Sequence, residues 1–220
     1  MKKIFISFLI LTFFVCVSAF SRISKTIINE EVIYLDAGHG GIDGGTSYNG
    51  ILEKDVDLQF VLTLKEVLEN NGYKVYLTRE GDYDLASEKS KNRKREDIQK
   101  RVDLINSSNC LLYLSIHANS YTSRSIHGAQ VFYNSNNIDN KNLAKCIQKS
   151  IRDEMKNTKR EAMSIKDKYL VDNVNRVGCL IEIGFLSNPS EASLLVNKSY
   201  QIALSNAILL GIDEYKELIK

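Results

Sequence analysis

The sequence predicts a single-domain α/β protein, an open sheet with helices on both faces. Three observations carry this: short apolar runs alternate with segments of helical period, no internal repeat or low-complexity tract interrupts them, and 220 residues with 44% hydrophobic and 25% charged side chains suit one core. In such sheets, binding and catalytic groups gather at the carboxyl ends of the strands.

The elements follow in chain order. Lys2-Lys3 precede an apolar run over 4–20, the order of a secretory leader, so residues 1–20 read as a signal peptide or membrane anchor, with Val17-Ser18-Ala19 a candidate cleavage site. A polar linker spans 21–31, and the catalytic domain is expected over 32–220. Val32-Ile33-Tyr34-Leu35 reads as a buried strand running into a glycine-rich loop over 37–50. Val56, Phe60, Leu64, Val67 and Leu68 set a helical period over 54–71, which Asn71-Gly72 ends. A strand is expected over 74–78, a charged loop next, and a helix over 97–107 with Ile98, Val102 and Ile105 on one face. Residues 111–116 and 129–133 read as strands, 142–155 as a helix, and 179–183 as another buried strand. Asn188-Pro189-Ser190-Glu191 has the pattern of a helix start, and a last helix covers 200–218.

A formal net charge of +2, from 29 basic and 27 acidic residues, creates no strong field. Nucleic acid is therefore excluded as an expected partner, and a membrane enters only through the N-terminal segment, if it stays uncleaved. Lys89, Lys91, Arg93, Lys94 and Arg95 read as a solvated face. Cys110, Cys146 and Cys179 form no CxxC pair and read as buried free thiols, not metal ligands.

The chemistry concentrates at two strand ends. Asp36-Ala37-Gly38-His39-Gly40-Gly41 follows the first strand, and Ser115-Ile116-His117-Ala118-Asn119 closes a later one. A hydrolytic zinc site needs neutral imidazoles, usually with a carboxylate, and a position left open for water. His39, His117 and Glu53 meet that need, the glycines allowing the turn that presents His39. Glu53 has a competing reading as an acid stabilising a helix start; Asp43, Asp55 and Asp57 compete with it as ligands, though Asp55 and Asp57 read foremost as acids of that helix's first turn. His127 is read as structural or substrate-facing, outside the ligand set. Glu182 lies inside the apolar run Leu180-Ile181-Glu182-Ile183, where a carboxylate needs a partner or a purpose. It is the candidate general base; the alternative is a buried salt bridge to Arg101 or Arg79.

Together with Glu53-Lys54-Asp55, Leu77-Thr78-Arg79, Arg101, Asn106 and the run from Glu182 through Gly184-Phe185-Leu186-Ser187-Asn188, these segments resemble the zinc-dependent N-acetylmuramoyl-L-alanine amidases of the Amidase_3 family. The resemblance implies an α/β fold with a mixed, mostly parallel sheet, zinc held by His39, Glu53 and His117, and Glu182 as catalytic glutamate. It also implies a peptidoglycan substrate, cut between N-acetylmuramic acid and L-alanine. The short chain is most similar to the germination-specific, sporulation-associated branch, which implies a role in muramic δ-lactam formation in the spore cortex. That branch places the protein beyond the cytoplasmic membrane, secreted or anchored at the wall between mother cell and forespore, with an activating or targeting protein as a further expected partner. Two departures are Asp172, where arginine is common in the family, and Val177-Gly178, where a proline often precedes the catalytic strand. A zinc peptidase or deacetylase of the wall, or a catalytically silent wall-binding module, are the alternatives on the same fold.

Overall fold

The computed structural model describes residues 31–220, so the leader over 1–20 and the linker as far as residue 30 lie outside the described residues. The chain forms β1 (Val32–Ala37), a small hairpin of β2 (Ser47–Tyr48) and β3 (Ile51–Leu52), α1 (Glu53–Asn70), β4 (Lys74–Leu77), α2 (Arg93–Ser107) and β5 (Leu112–Asn119). It continues through β6 (Gln130–Tyr133), α3 (Ile138–Met155), β7 (Met163–Ser164), α4 (Tyr169–Asn173), β8 (Gly178–Phe185), α5 (Pro189–Leu195) and α6 (Lys198–Leu218). Among the described residues, no helix is long and apolar enough to cross a membrane.

The main sheet runs β4-β1-β5-β8-β6-β7 and is parallel except where β6 meets β8 antiparallel. The mixed, mostly parallel sheet and its two helical layers are as expected. Strand alternation sorts the side chains. Ile33, Leu35 and Ala37 of β1, Leu112, Leu114 and Ile116 of β5, and Cys179, Ile181 and Ile183 of β8 share the large core with apolar residues of α1, α3 and α6. Tyr34 and Tyr113 point the other way, into a small cluster with Val102 and Ile105 of α2 and Leu170 of α4. By the same period Asp36, Ser115, His117 and Glu182 belong to that second face, where the helical cover is thin.

Helix starts are set by side-chain caps more than by apolar period. Asn92 Oδ1 accepts from the Arg95 amide and Asn137 Oδ1 from Asp139, so α2 and α3 begin at Arg93 and Ile138, ahead of the expected 97 and 142. Their first turns show no apolar stripe, the one apolar residue there, Ile138, being exposed. Asn188 caps α5 through the amides of Ser190 and Glu191, as its sequence pattern predicts. Strand β7 and helix α4 were not foreseen, being too short to show a period.

The end of β1 is fastened from below. Asp36 is buried; its Oδ1 accepts from Thr78 Oγ1 at 2.7 Å and Arg101 Nη1 at 3.0 Å, and its Oδ2 from Ser115 Oγ at 2.6 Å. Arg101 also donates to Asp97 Oδ2 at 2.9 Å and to the carbonyls of Ala37 and His39. Arg79, likewise buried, donates to Ala37 O at 3.0 Å, Gly38 O at 2.7 Å and Lys54 O at 2.8 Å. Two guanidiniums thus hold three successive carbonyls of the turn that carries His39.

Removing one member of a buried ion pair typically costs about 3–5 kcal/mol, because the other charge is stranded. Arg101→Ala is expected to lose that much in urea unfolding at pH 7. Burial works against the Asp36 charge, but Arg101, Ser115 and Thr78 outweigh it and hold the carboxyl below its ordinary value. Its stabilisation is therefore complete above the unfolded value of about 3.9 and disappears as pH falls through the lower folded one. Asp36→Asn should accordingly be less stable at pH 7, yet lose less stability than wild type on further acidification below about pH 4.

Candidate metal centre

His39 at the end of β1, Glu53 at the start of α1 and His117 near the end of β5 converge at one edge of the sheet. Glu53 Oε1 lies 3.0 Å from His39 Nε2 and 3.1 Å from His117 Nδ1, and the two imidazoles meet edge-on with centroids 5.1 Å apart. The other oxygen, Oε2, accepts from the Thr46 amide at 2.8 Å, so the carboxylate cannot turn away. The β2–β3 hairpin makes this possible by returning the chain to Thr46, whose carbonyl in turn accepts from the Glu53 amide at 2.9 Å. Burial opposes the Glu53 charge, but its hydrogen bonds to His117 and His39 prevail and hold it at about 2.

Outside this trio, Asp43 Oδ2 meets His39 Nδ1 at 2.9 Å, which leaves Nε2 for the centre. Burial lowers the His39 pKa, and its bonds with Glu53 and Asp43 reverse this and raise it. His39 itself is left-handed at φ 58°, beside Gly40 at 129° and Gly41 at 57°. The glycines alone were expected to allow this turn; the histidine shares their positive φ, at a strain of about 1–3 kcal/mol. The Arg101 bond to its carbonyl and the Asp43 bond to its ring hold that conformation. Gly38 permits the close approach beneath: a Cβ there would stand 2.4 Å from His117 Cε1 and 2.7 Å from Asp57 Oδ2.

Asp57 departs from the sequence reading. It is not an acid at a helix end but a side chain with 0% exposure below the site, its Oδ2 3.9 Å from His117 Nδ1. Burial, followed by the charges of Glu53 and Glu182, pushes its pKa well above the ordinary range. Donor atoms of His39, Glu53, Asp57 and His117 all fall within 4.8 Å of one another. The signal available in the sequence was the four-residue spacing from Glu53, which puts both carboxylates on one helix face. Asp55 stays exposed.

Glu182 is the register partner of His117 across the β5–β8 pairing. Its Oε2 is buried without a hydrogen-bond partner among the described residues, and burial raises its pKa. The salt bridge to Arg101 or Arg79 does not form, because Arg101 is bound to Asp36 and Asp97 and Arg79 to backbone carbonyls. Glu182 and the trio line a cleft of about 440 Å³, whose lining also includes Lys168 and Tyr169. His127 is exposed, its Nδ1 facing Ser125 O at 3.0 Å. Asp172 accepts from Asn134 Nδ2 at 2.9 Å and the Lys168 amide at 3.0 Å, a bond that steadies the start of α4. Arg93 and Lys94 of the basic cluster pair with Asp84 and Asp43. Cys110, Cys146 and Cys179 are buried and free.

The donor set suits zinc. Tetrahedral bonds of about 2.0–2.2 Å put neighbouring donors roughly 3.3–3.5 Å apart, and two imidazoles with a carboxylate make a common hydrolytic set. The observed separations of 3.0 and 3.1 Å need only a small expansion.

The chain matches the Amidase_3 model, described as N-acetylmuramoyl-L-alanine amidase, over residues 33–214. The germination-specific N-acetylmuramoyl-L-alanine amidase of Bacillus subtilis is 46% identical over 191 residues, which span 86% of this chain and 81% of that one. The CwlD amidase of Clostridioides difficile, solved in complex with the GerS lipoprotein, is similar with a TM-score of 0.82 at 38% identity, covering 86% of this chain and 100% of that one. An N-acetylmuramoyl-L-alanine amidase from Clostridium difficile 630 gives a TM-score of 0.76 at 28% identity, covering 86% of this chain and 98% of its own.

Asp43→Ala should weaken metal binding at this centre by about 10–100-fold, the usual effect of removing the partner that orients a ligating imidazole. Gly38→Ala should displace His117 and weaken it at least as much. Competition against a chromophoric chelator measures both.

Proposed function

The chain belongs to the Amidase_3 family of N-acetylmuramoyl-L-alanine amidases, and on that basis we propose that His39, Glu53 and His117 hold zinc while Glu182 moves the proton in hydrolysis of spore-cortex peptidoglycan. Its activity is that of a cell-wall amidase, cutting between N-acetylmuramic acid and L-alanine, and peptidoglycan is the substrate. The observation that carries the residue roles is Glu182: a buried carboxylate oxygen without a partner, in register with His117 and open to the same cleft.

Zinc in that site supplies Lewis acidity, which polarises a carbonyl and makes water acidic near neutral pH. Glu182 Oε2 accepts the proton from water as its oxygen attacks the lactyl carbonyl carbon. The carbon–nitrogen bond then breaks, and Glu182 returns the proton to the L-alanine nitrogen, which leaves as a neutral amine. Burial, the leading cause, raises the pKa of Glu182, so it gives up and regains a proton more evenly than an exposed glutamate. Glu53, fixed through Thr46, and His39, fixed through Asp43, keep the trio aimed at the cleft throughout. The cleft of about 440 Å³, lined also by Lys168 and Tyr169, gives the stem peptide room.

Action on the wall implies export, and the proposed place of action is the space between mother cell and forespore, reached through the leader over 1–20 and exercised by the domain over 32–220. The relative solved with a lipoprotein supports a protein partner here too, as an activator or tether. A zinc peptidase or deacetylase would use similar groups, but the family and the named relatives are amidases.

Glu182→Gln should keep its zinc and lose about 10²–10⁴-fold in turnover, the range for a general acid–base group. Mass spectrometry of peptidoglycan digested with and without a chelator reads both points. Products carrying a free L-alanine amine, lost on chelation, are expected; cleavage elsewhere, or cleavage indifferent to chelator, contradicts the reading.

A further inference from the structure

Asp57 takes no part in the chemistry above, yet it occupies an expensive position. Both of its carboxylate oxygens are buried without a hydrogen-bond partner among the described residues. Such an orphaned group costs about 1–3 kcal/mol, and more when charged. Arg79, the cation whose charge acts on it, directs its donors to Ala37, Gly38, Lys54 and Gly81 carbonyls instead.

The surroundings say what the carboxylate is for. Asp57 follows Glu53 by one helical turn, so both leave α1 on the same side. Its Oδ2 and the His117 ring both crowd the position that a Cβ on Gly38 would take, which leaves no space there for a side chain. Its donor oxygen joins those of His39, Glu53 and His117 within 4.8 Å. A movement on the order of 1 Å brings it to the spacing that donors on one ion require.

We propose that Asp57 is a fourth protein ligand of the metal ion, its carboxylate turning onto the ion when the site is loaded. This rests on the metal-centre reading of the same site. Glu53 is tied by Thr46 and His39 by Asp43, whereas Asp57 has no hydrogen bond that holds it among the described residues. It is therefore the ligand free to give way when water and substrate enter the cleft.

The test uses purified full-length protein and its Asp57→Asn and Asp57→Ala variants, with zinc affinity read by chelator competition and coordination by the visible spectrum of the cobalt(II)-loaded forms. Both variants should bind zinc at least tenfold more weakly, and their cobalt(II) bands should shift in position and intensity. Metal-free Asp57→Asn should unfold at a higher urea midpoint than metal-free wild type, since a stranded carboxylate is gone. Unchanged affinity, or a cobalt(II) spectrum that superposes on wild type, overturns the proposal, as does a metal-free Asp57→Asn that is destabilised. Wild type that takes up neither ion would overturn this proposal and the metal-centre reading together; wild type that binds, with variants unaltered, overturns this one alone.

Discussion

The site depends on the fastening of three carbonyls. Ala37, Gly38 and His39 leave the sheet in a sharp turn whose oxygens are taken by the guanidiniums of Arg79 and Arg101, while Asp36 balances the charge of Arg101 from the end of β1. Without those donors the turn would strand backbone acceptors beneath the cleft, and nothing would hold His39 in its left-handed conformation. The two arginines come from separate parts of the chain, one after β4 and one from α2, so the turn becomes rigid only when the sheet edge and the second helical layer are both assembled.

That fastening divides the acids into two kinds. Asp36, Asp43 and Glu53 each have partners that hold them ionised and oriented. Asp57 and Glu182 have buried oxygens without partners, and burial leads the rise in the pKa of each. A fold seldom retains such groups unless something binds or reacts there. The cations that would otherwise neutralise Glu182 are occupied in holding the turn. The same arginines that give the site its rigidity thus leave its acids available for a metal and a proton.

The parallel register completes the arrangement. Pairing of His117 with Glu182 across β5 and β8, and of Asp36 with Ser115 across β1 and β5, puts all four on the face that α2 and α4 cover thinly. A slip of one residue would send His117 and Glu182 into the apolar core against α1 and α3. The large core on the opposite face fixes that register, so packing remote from the cleft determines which side chains line it.

The sequence by itself determined the fold class, the order of the major elements and the grouping of His39, Glu53, His117 and Glu182 as candidates. Period, glycine-rich turns and strand ends are local properties, and local properties are written in neighbouring residues. It was less informative about the starts of α2 and α3, where Asn92 and Asn137 act through one hydrogen bond each, without an apolar stripe. Only the tertiary structure decided that Glu182 is unpaired, that Asp57 lies beneath the centre and that His39 itself carries the strain. The second follows from the helical turn between Glu53 and Asp57; the first and last turn on where Arg79 and Arg101 direct their donors. Those choices are made between residues some 40 to 65 positions apart in the chain, once packing has brought them together.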